Sequence, residues 1–210
     1  IGNFNHGFRT HSSIFYLSSL FYLPIIDYFI VHISPVFFLG FTNIILYRKI
    51  RDNLKIRKNF YIIFLSLFLI CFVNIFFYRL AEHGTDRSAM VLLMPLSIEI
   101  LNFINQKAKI DKTQISRILI LISLIISLKA FYIIYSIFLF LILFYFNNKK
   151  KLFLDLLRNK ITYLCFVLVL CVISINFFNT GCLIYPAKFL CNENFVWSIP
   201  LDQVDKMNHW

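Results

Sequence analysis

From Ile118 to Phe146 the chain runs for 29 residues with Lys129 as its one charge. As a single helix this stretch would measure about 43 Å at 1.5 Å per residue, against a bilayer hydrocarbon core of about 30 Å. A single crossing would also place the flanking connectors, residues 105–117 and 147–160, on opposite sides of a membrane. Both are basic. The first carries Lys107, Lys109, Lys112 and Arg117 against Asp111; the second carries Lys149, Lys150, Lys151, Arg158 and Lys160. Lys- and Arg-rich connectors collect on the cytoplasmic side. A tight hairpin turning at Lys129-Ala130 keeps both connectors together and is favoured over one long crossing. Its first arm, about Thr113 to Leu128, is short for a span, which implies local thinning or burial within a larger bundle.

The rest of the chain repeats this alternation. Hydrophobic residues make up 60%, charged residues only 15%, and mean hydropathy is +0.75, well to the apolar side of a soluble domain. The pattern predicts an all-α, polytopic transmembrane bundle of about six membrane segments within one domain. Further segments are read at Tyr28–Tyr47, Phe60–Tyr78, Ala89–Ile104 and Ile161–Phe178. Between the first two lies the most basic connector: Arg48, Lys49, Arg51, Lys55, Arg57 and Lys58 against Asp52. The net charge of +11 is therefore read as membrane topology, and nucleic-acid binding is excluded. Residues 1–24 form an outer loop whose Ile14–Leu23 part lies along the membrane surface, being too short to span. Residues 28–178 form the bundle, and residues 179–210 an outer polar-aromatic loop. The lysine-rich connectors then fall inside; residues 79–88, Lys129 and both terminal segments fall outside. The abundance of Phe, Ile, Asn, Lys and Tyr suits an AT-rich bacterial genome, and the expected location is the bacterial inner membrane. The chain is expected to be the middle part of a longer protein.

Residues 79–88 hold five ionisable side chains: Arg79, Glu82, His83, Asp86 and Arg87. In one reading this is a solvated loop with an ion pair, Asp86 capping a helix that begins at Arg87. In the other it is a site at the membrane surface. Arg79 and Arg87 would hold phosphate through charge-assisted hydrogen bonds, and Glu82 or Asp86 would take a proton from a hydroxyl. Lys129 either marks the hairpin turn and snorkels to the interface or belongs to that site. Glu99, near the cytoplasmic end of its segment, reaches water or pairs with Lys107. Asn3, Asn5, His6, Arg9 and His11 form a second polar group on the outer side, suited to hydrogen bonding with a sugar. Two histidines without a nearby carboxylate make a poor metal set; no metal ligands are assigned, and a divalent metal is left open. Cys71, Cys165 and Cys171 are read as buried packing residues. Cys182 and Cys191 form a small-loop disulfide if that side is oxidising, or remain free thiols.

Three stretches carry a resemblance: Gly2-Asn3-Phe4-Asn5 with Ser12-Ser13 and Ser19-Leu20-Phe21; Glu82-His83-Gly84-Thr85-Asp86-Arg87-Ser88; and Thr180-Gly181-Cys182-Leu183-Ile184-Tyr185-Pro186. Together they resemble a group of poorly characterised bacterial multi-spanning proteins from surface-polysaccharide gene neighbourhoods. That group is similar in overall plan to the GT-C glycosyltransferases. The resemblance implies a polyprenyl-phosphate-linked sugar as partner. It also implies an essential acidic residue in the first large outer loop, beside a membrane-parallel helix. Residues 1–24 match the end of such a loop but contain no Asp or Glu, so that acid is expected before Ile1. The leading expectation is a GT-C-like glycosyltransferase of envelope polysaccharide synthesis. Its alternatives are a transporter or flippase of lipid-linked sugars, or a non-catalytic membrane scaffold.

Overall fold

A computed structural model describes residues 12–20, 33–56, 59–77, 84–105, 112–145, 154 and 156–208. Among them the secondary structure is helical, apart from one isolated bridge between Cys182 and Cys191. The helices are α1 (Ile14–Leu20), α2 (Ile33–Ile56), α3 (Phe60–Phe76), α4 (Gly84–Asn105), α5 (Lys112–Leu128), α6 (Ile137–Tyr145), α7 (Lys160–Thr180) and α8 (Leu201–Asn208). A 3-10 segment, Ala130–Ser136, leads into α6, and a shorter one, Lys188–Leu190, precedes α8.

Side-chain contacts set the helix directions. Thr42 donates to the Val91 carbonyl at 3.4 Å, and the Lys49 ammonium meets the Glu99 carboxylate at 2.9 Å. Partners thus advance together, and α2 and α4 run the same way. The α2–α3 connection is short, and Asn43 and Asn74 exchange amide hydrogen bonds at 3.0 and 3.3 Å, so these two helices are antiparallel. Such amide pairs join helices where apolar packing alone is weakly specific. Helices α4 and α5 are also antiparallel: Gln114 donates to the Glu99 carbonyl at one end, and Lys129 meets Asp86 at the other.

Helix α5 stops at Leu128 because Lys129 adopts an extended backbone (φ −157°, ψ 121°). The chain then returns. Asn159 caps α7 by accepting from the Ile161 amide at 3.0 Å, and its amide nitrogen donates to Ser116 near the start of α5 at 2.7 Å. Asn159 thus lies back at the start of α5, and α7 sets out beside that helix in the same direction.

The bundle has two ends. One gathers α1, Ser34, Asp86, Lys129 and the close of α7; the other gathers Lys49, Glu99, Arg117 and Asn159. Between them lies an apolar core in which Leu92, Leu96 and Phe103 of α4 pack with Ile118, Ile125 and Ile126 of α5. The outer surface is apolar too. Phe60, Phe64 and Phe68 of α3 and Leu164, Phe166 and Val167 of α7 face away from the core. Two helices, Asp86–Asn105 and Lys160–Thr180, are long and apolar enough to cross a membrane. Phe60–Phe76, Thr113–Leu128 and Ala130–Ile142 are shorter apolar helices.

Several expectations are corrected. Helix α2, described from Ile33 onward with Tyr28 outside the described residues, continues through the basic stretch to Ile56; arginine and lysine are good helix formers and no breaker intervenes. Pro35 lies in its first turn, where a missing N–H costs no intrahelical bond. Cys165 is buried, but Cys71 and Cys171 are exposed. Helices α3 and α7 are apolar almost all round, so periodicity in the sequence does not mark which face turns inward.

The segment after α7 folds on the end of that helix. Cys182 and Cys191 are disulfide-bonded, the Asn176 amide donates to the carbonyls of Cys182 and Leu183, and the Ile199 amide donates to the Thr180 carbonyl. Cys182, Tyr185, Ile199 and Val204 form its core. Gly181 closes α7 in the left-handed region (φ 77°), and a Cβ there would lie 2.5 Å from Ser198 Cβ. Backbone and space both require glycine. Gly181→Ala should destabilise this unit by about 1–3 kcal/mol. Limited proteolysis of the full-length protein should then cut residues 181–208 faster while leaving α7 protected.

Candidate functional site

Two clusters of charge occupy the two ends of α4 and α5. At the first, Gly84 and Thr85 open α4, so Asp86 lies inside the first turn. The capping role expected for it is replaced by a first-turn position, where a carboxylate still sits favourably against the helix dipole. Its Oδ1 lies 2.7 Å from Lys129 Nζ. Lys129 owes its position to the break after α5, which turns the side chain out of the helical register. The pair is partly exposed: the Asp86 side chain is 44% exposed and that of Lys129 31%, while the paired Oδ1 itself is buried. Arg87 is half-buried beside it, and the Ser88 hydroxyl is buried without a hydrogen-bond partner among the described residues. Helix α1 flanks this end: the Ser13 amide donates to the Ser127 carbonyl at 3.0 Å, and their hydroxyls are 2.8 Å apart. Tyr132 and Tyr135, stacked with centroids 5.5 Å apart, continue from Lys129.

Of the sequence-predicted residues, Asp86 and Lys129 therefore meet at one end, with Arg87 following Asp86 in the first turn of α4. Arg79, Glu82, His83, Asn5, His6 and Arg9 lie outside the described residues. Cys182 and Cys191 are bonded to each other, in a unit whose contacts given above are internal or with the end of α7. Among the described residues no group of three or more His, Cys, Asp or Glu side chains could hold a metal ion.

The second cluster was not foreseen as a site. Glu99 does not reach water: its side chain is 1% exposed, 2.9 Å from Lys49 and 3.6 Å from Arg117, and Lys107 lies outside the described residues. Packing of α2 alongside α4 delivers Lys49, whose own side chain is only 11% exposed. These residues, with Arg48, Arg51 and Asp52 and the apolar Phe41, Ile45, Ile120 and Leu121, line a cavity of about 510 Å³. Its wall carries four cations against two carboxylates. The available signal was Glu99 itself, the one acid within an apolar segment, while Lys49 was hidden among residues that also mark topology.

Fold and charge thus define an all-helical bundle with a charged cluster at each end of a central antiparallel helix pair. The chain belongs to the family described as a domain of unknown function (DUF8201), which matches residues 1–210. No curated protein and no solved structure matches it.

A buried charge left unpaired is costly, far more so than the pair is stabilising. Glu99→Gln should destabilise the bundle by about 3–5 kcal/mol, whereas the double change Lys49→Met with Glu99→Leu should recover most of that loss. Thermal unfolding of the full-length protein in detergent measures both. Equal destabilisation by the single and double variants would remove the pair from any structural role.

Proposed function

We propose that the chain is part of a multi-pass bacterial inner-membrane protein that transfers sugars from a lipid-phosphate carrier during envelope polysaccharide synthesis, on a GT-C-like plan. The observation that carries this reading is the Asp86–Lys129 pair, 2.7 Å apart and partly exposed at the end of the bundle where Arg87 and α1 also lie. The apolar outer faces of α3 and α7 support a membrane setting, because patches of that extent are aggregation sites in water. The six-segment topology has the basic connectors inside, and Asp86, Lys129, α1 and the disulfide unit at the outer surface.

The pair supplies both charges that such a transfer needs. Phosphate competes with Asp86 for the Lys129 ammonium, and Arg87 adds a planar donor suited to phosphate oxygens. Release from Lys129 leaves the Asp86 carboxylate able to accept the proton of an acceptor hydroxyl. That oxygen bonds to the anomeric carbon as the carbon–oxygen bond to the carrier phosphate breaks. The departing phosphate keeps the electron pair and is held by Lys129 and Arg87.

In the full-length protein, Asp86→Asn and Arg87→Ala should each abolish polysaccharide production without changing the protein's level in the membrane. Lys129→Met should weaken use of the carrier-linked donor about tenfold or more, as expected for loss of a charge-assisted contact. Unimpaired product from the Asp86 and Arg87 variants would sink the site assignment. Movement of donor across a liposome membrane without its turnover would favour a flippase, and neither activity a scaffold.

A further inference from the structure

The charged cavity at the Glu99 end lies opposite the Asp86–Lys129 pair. Twelve residues of α4 separate Asp86 from Glu99, about 20 Å of helix, with the apolar core between them. The two clusters cannot share one phosphate group.

Three features make the cavity a binding site for an anion with an apolar body. First, its charges do not cancel. Glu99 is shared between Lys49 and Arg117, and Asp52 is 3.3 Å from Arg51. Arg48 has no carboxylate partner among the described residues. Second, its lining has two parts by helix position: Arg48, Arg51 and Arg117 lie toward the Glu99 end, and Phe41, Ile45, Ile120 and Leu121 a turn or two away from it along α2 and α5. A free inorganic ion would use only the first. Third, the buried Lys49–Glu99 pair holds α2 against α4, so the arginines of α2 and Arg117 of α5 are positioned before any ligand arrives. Basic clefts between membrane helices at the cytoplasmic surface are suited to anionic lipid head groups.

We propose that this cavity binds one anionic phospholipid from the leaflet opposite the transfer site, its phosphodiester held by Arg48 and Arg117 and its acyl chains lying along Ile120 and Phe41. The proposal rests on the membrane reading above but not on sugar transfer.

The test uses the full-length protein, delipidated in a neutral detergent and titrated separately with phosphatidylglycerol, phosphatidylcholine and inorganic phosphate, with retention read by native mass spectrometry. Phosphatidylglycerol should be retained in preference to the other two, and less so as salt rises. Arg48→Gln and Arg117→Gln should each lower that retention about tenfold, with Lys49 still compensating Glu99. Lys160→Gln removes a cation at the same end of the bundle outside the cavity and should leave retention unchanged. Equal retention of phosphatidylcholine, equal retention of phosphate, or an equal loss in Lys160→Gln would overturn the site. Failure of the membrane reading has a different signature: the protein would leave the membrane fraction in high salt without detergent. Failure of sugar transfer alone would leave these binding results unchanged.

Discussion

The structure depends on confining ionised groups to the ends of α4. This helix has its flank against α5 and α2, and nothing charged interrupts it between Arg87 and Glu99. An unpaired charge in that interval would face apolar side chains with no water to solvate it. Each end instead brings an acid to a base carried by another helix. Asp86 meets Lys129 from the far end of α5; Glu99 meets Lys49 from α2 and Arg117 from the near end of α5. The same contacts that neutralise the acids also fix direction and register, since a slip of one turn of α4 would separate both carboxylates from their partners at once.

The two pairs are not equivalent energetically. Glu99 is enclosed, so parting it from its partners leaves a buried charge uncompensated, and the pair's main effect is to penalise any arrangement that parts them. Asp86 and Lys129 are partly exposed, so water and salt compete with their attraction and the pair adds little to stability. A contact of that kind can be opened by an incoming anion at small cost. The buried pair suits the role of a fixed wall, and the exposed one suits exchange of partners.

Much of the helical arrangement was legible in the sequence, because it follows from length and charge. The 29-residue run is too long for one crossing, and Lys129 is its one charge; the chain does break there, and α7 starts beside α5. Helix boundaries were less legible. Basic residues read as a connector continue α2 to Ile56, since the same side chains serve helix and solvent alike. Inward and outward faces of α3 and α7 were not legible, because both faces are apolar. For the site, proximity in sequence grouped Asp86 with Arg87. The meeting with Lys129 depends on antiparallel packing, as does the meeting of Glu99 with Arg117. The partnership of Lys49 with Glu99 spans 50 residues and two helices that run in parallel, a relation that no local spacing announces.

The punctuation of residues 180–186 has a physical basis of its own. Thr180 donates to the Asn176 carbonyl at 2.7 Å and accepts from the Cys182 amide at 3.1 Å. Gly181 provides the left-handed turn, and the disulfide then holds the two limbs that the Cys182–Cys191 bridge aligns. Every residue named there serves to stop α7 and reverse the chain tightly against its end. Helix α7 is largely exposed along its apolar length, so it gains little direction from packing; a firm stop fixes where its apolar stretch finishes. The two stretches therefore meet different demands: Asp86-Arg87-Ser88 sets charge at a helix start facing a lysine, whereas Thr180-Gly181-Cys182 sets where an apolar helix ends.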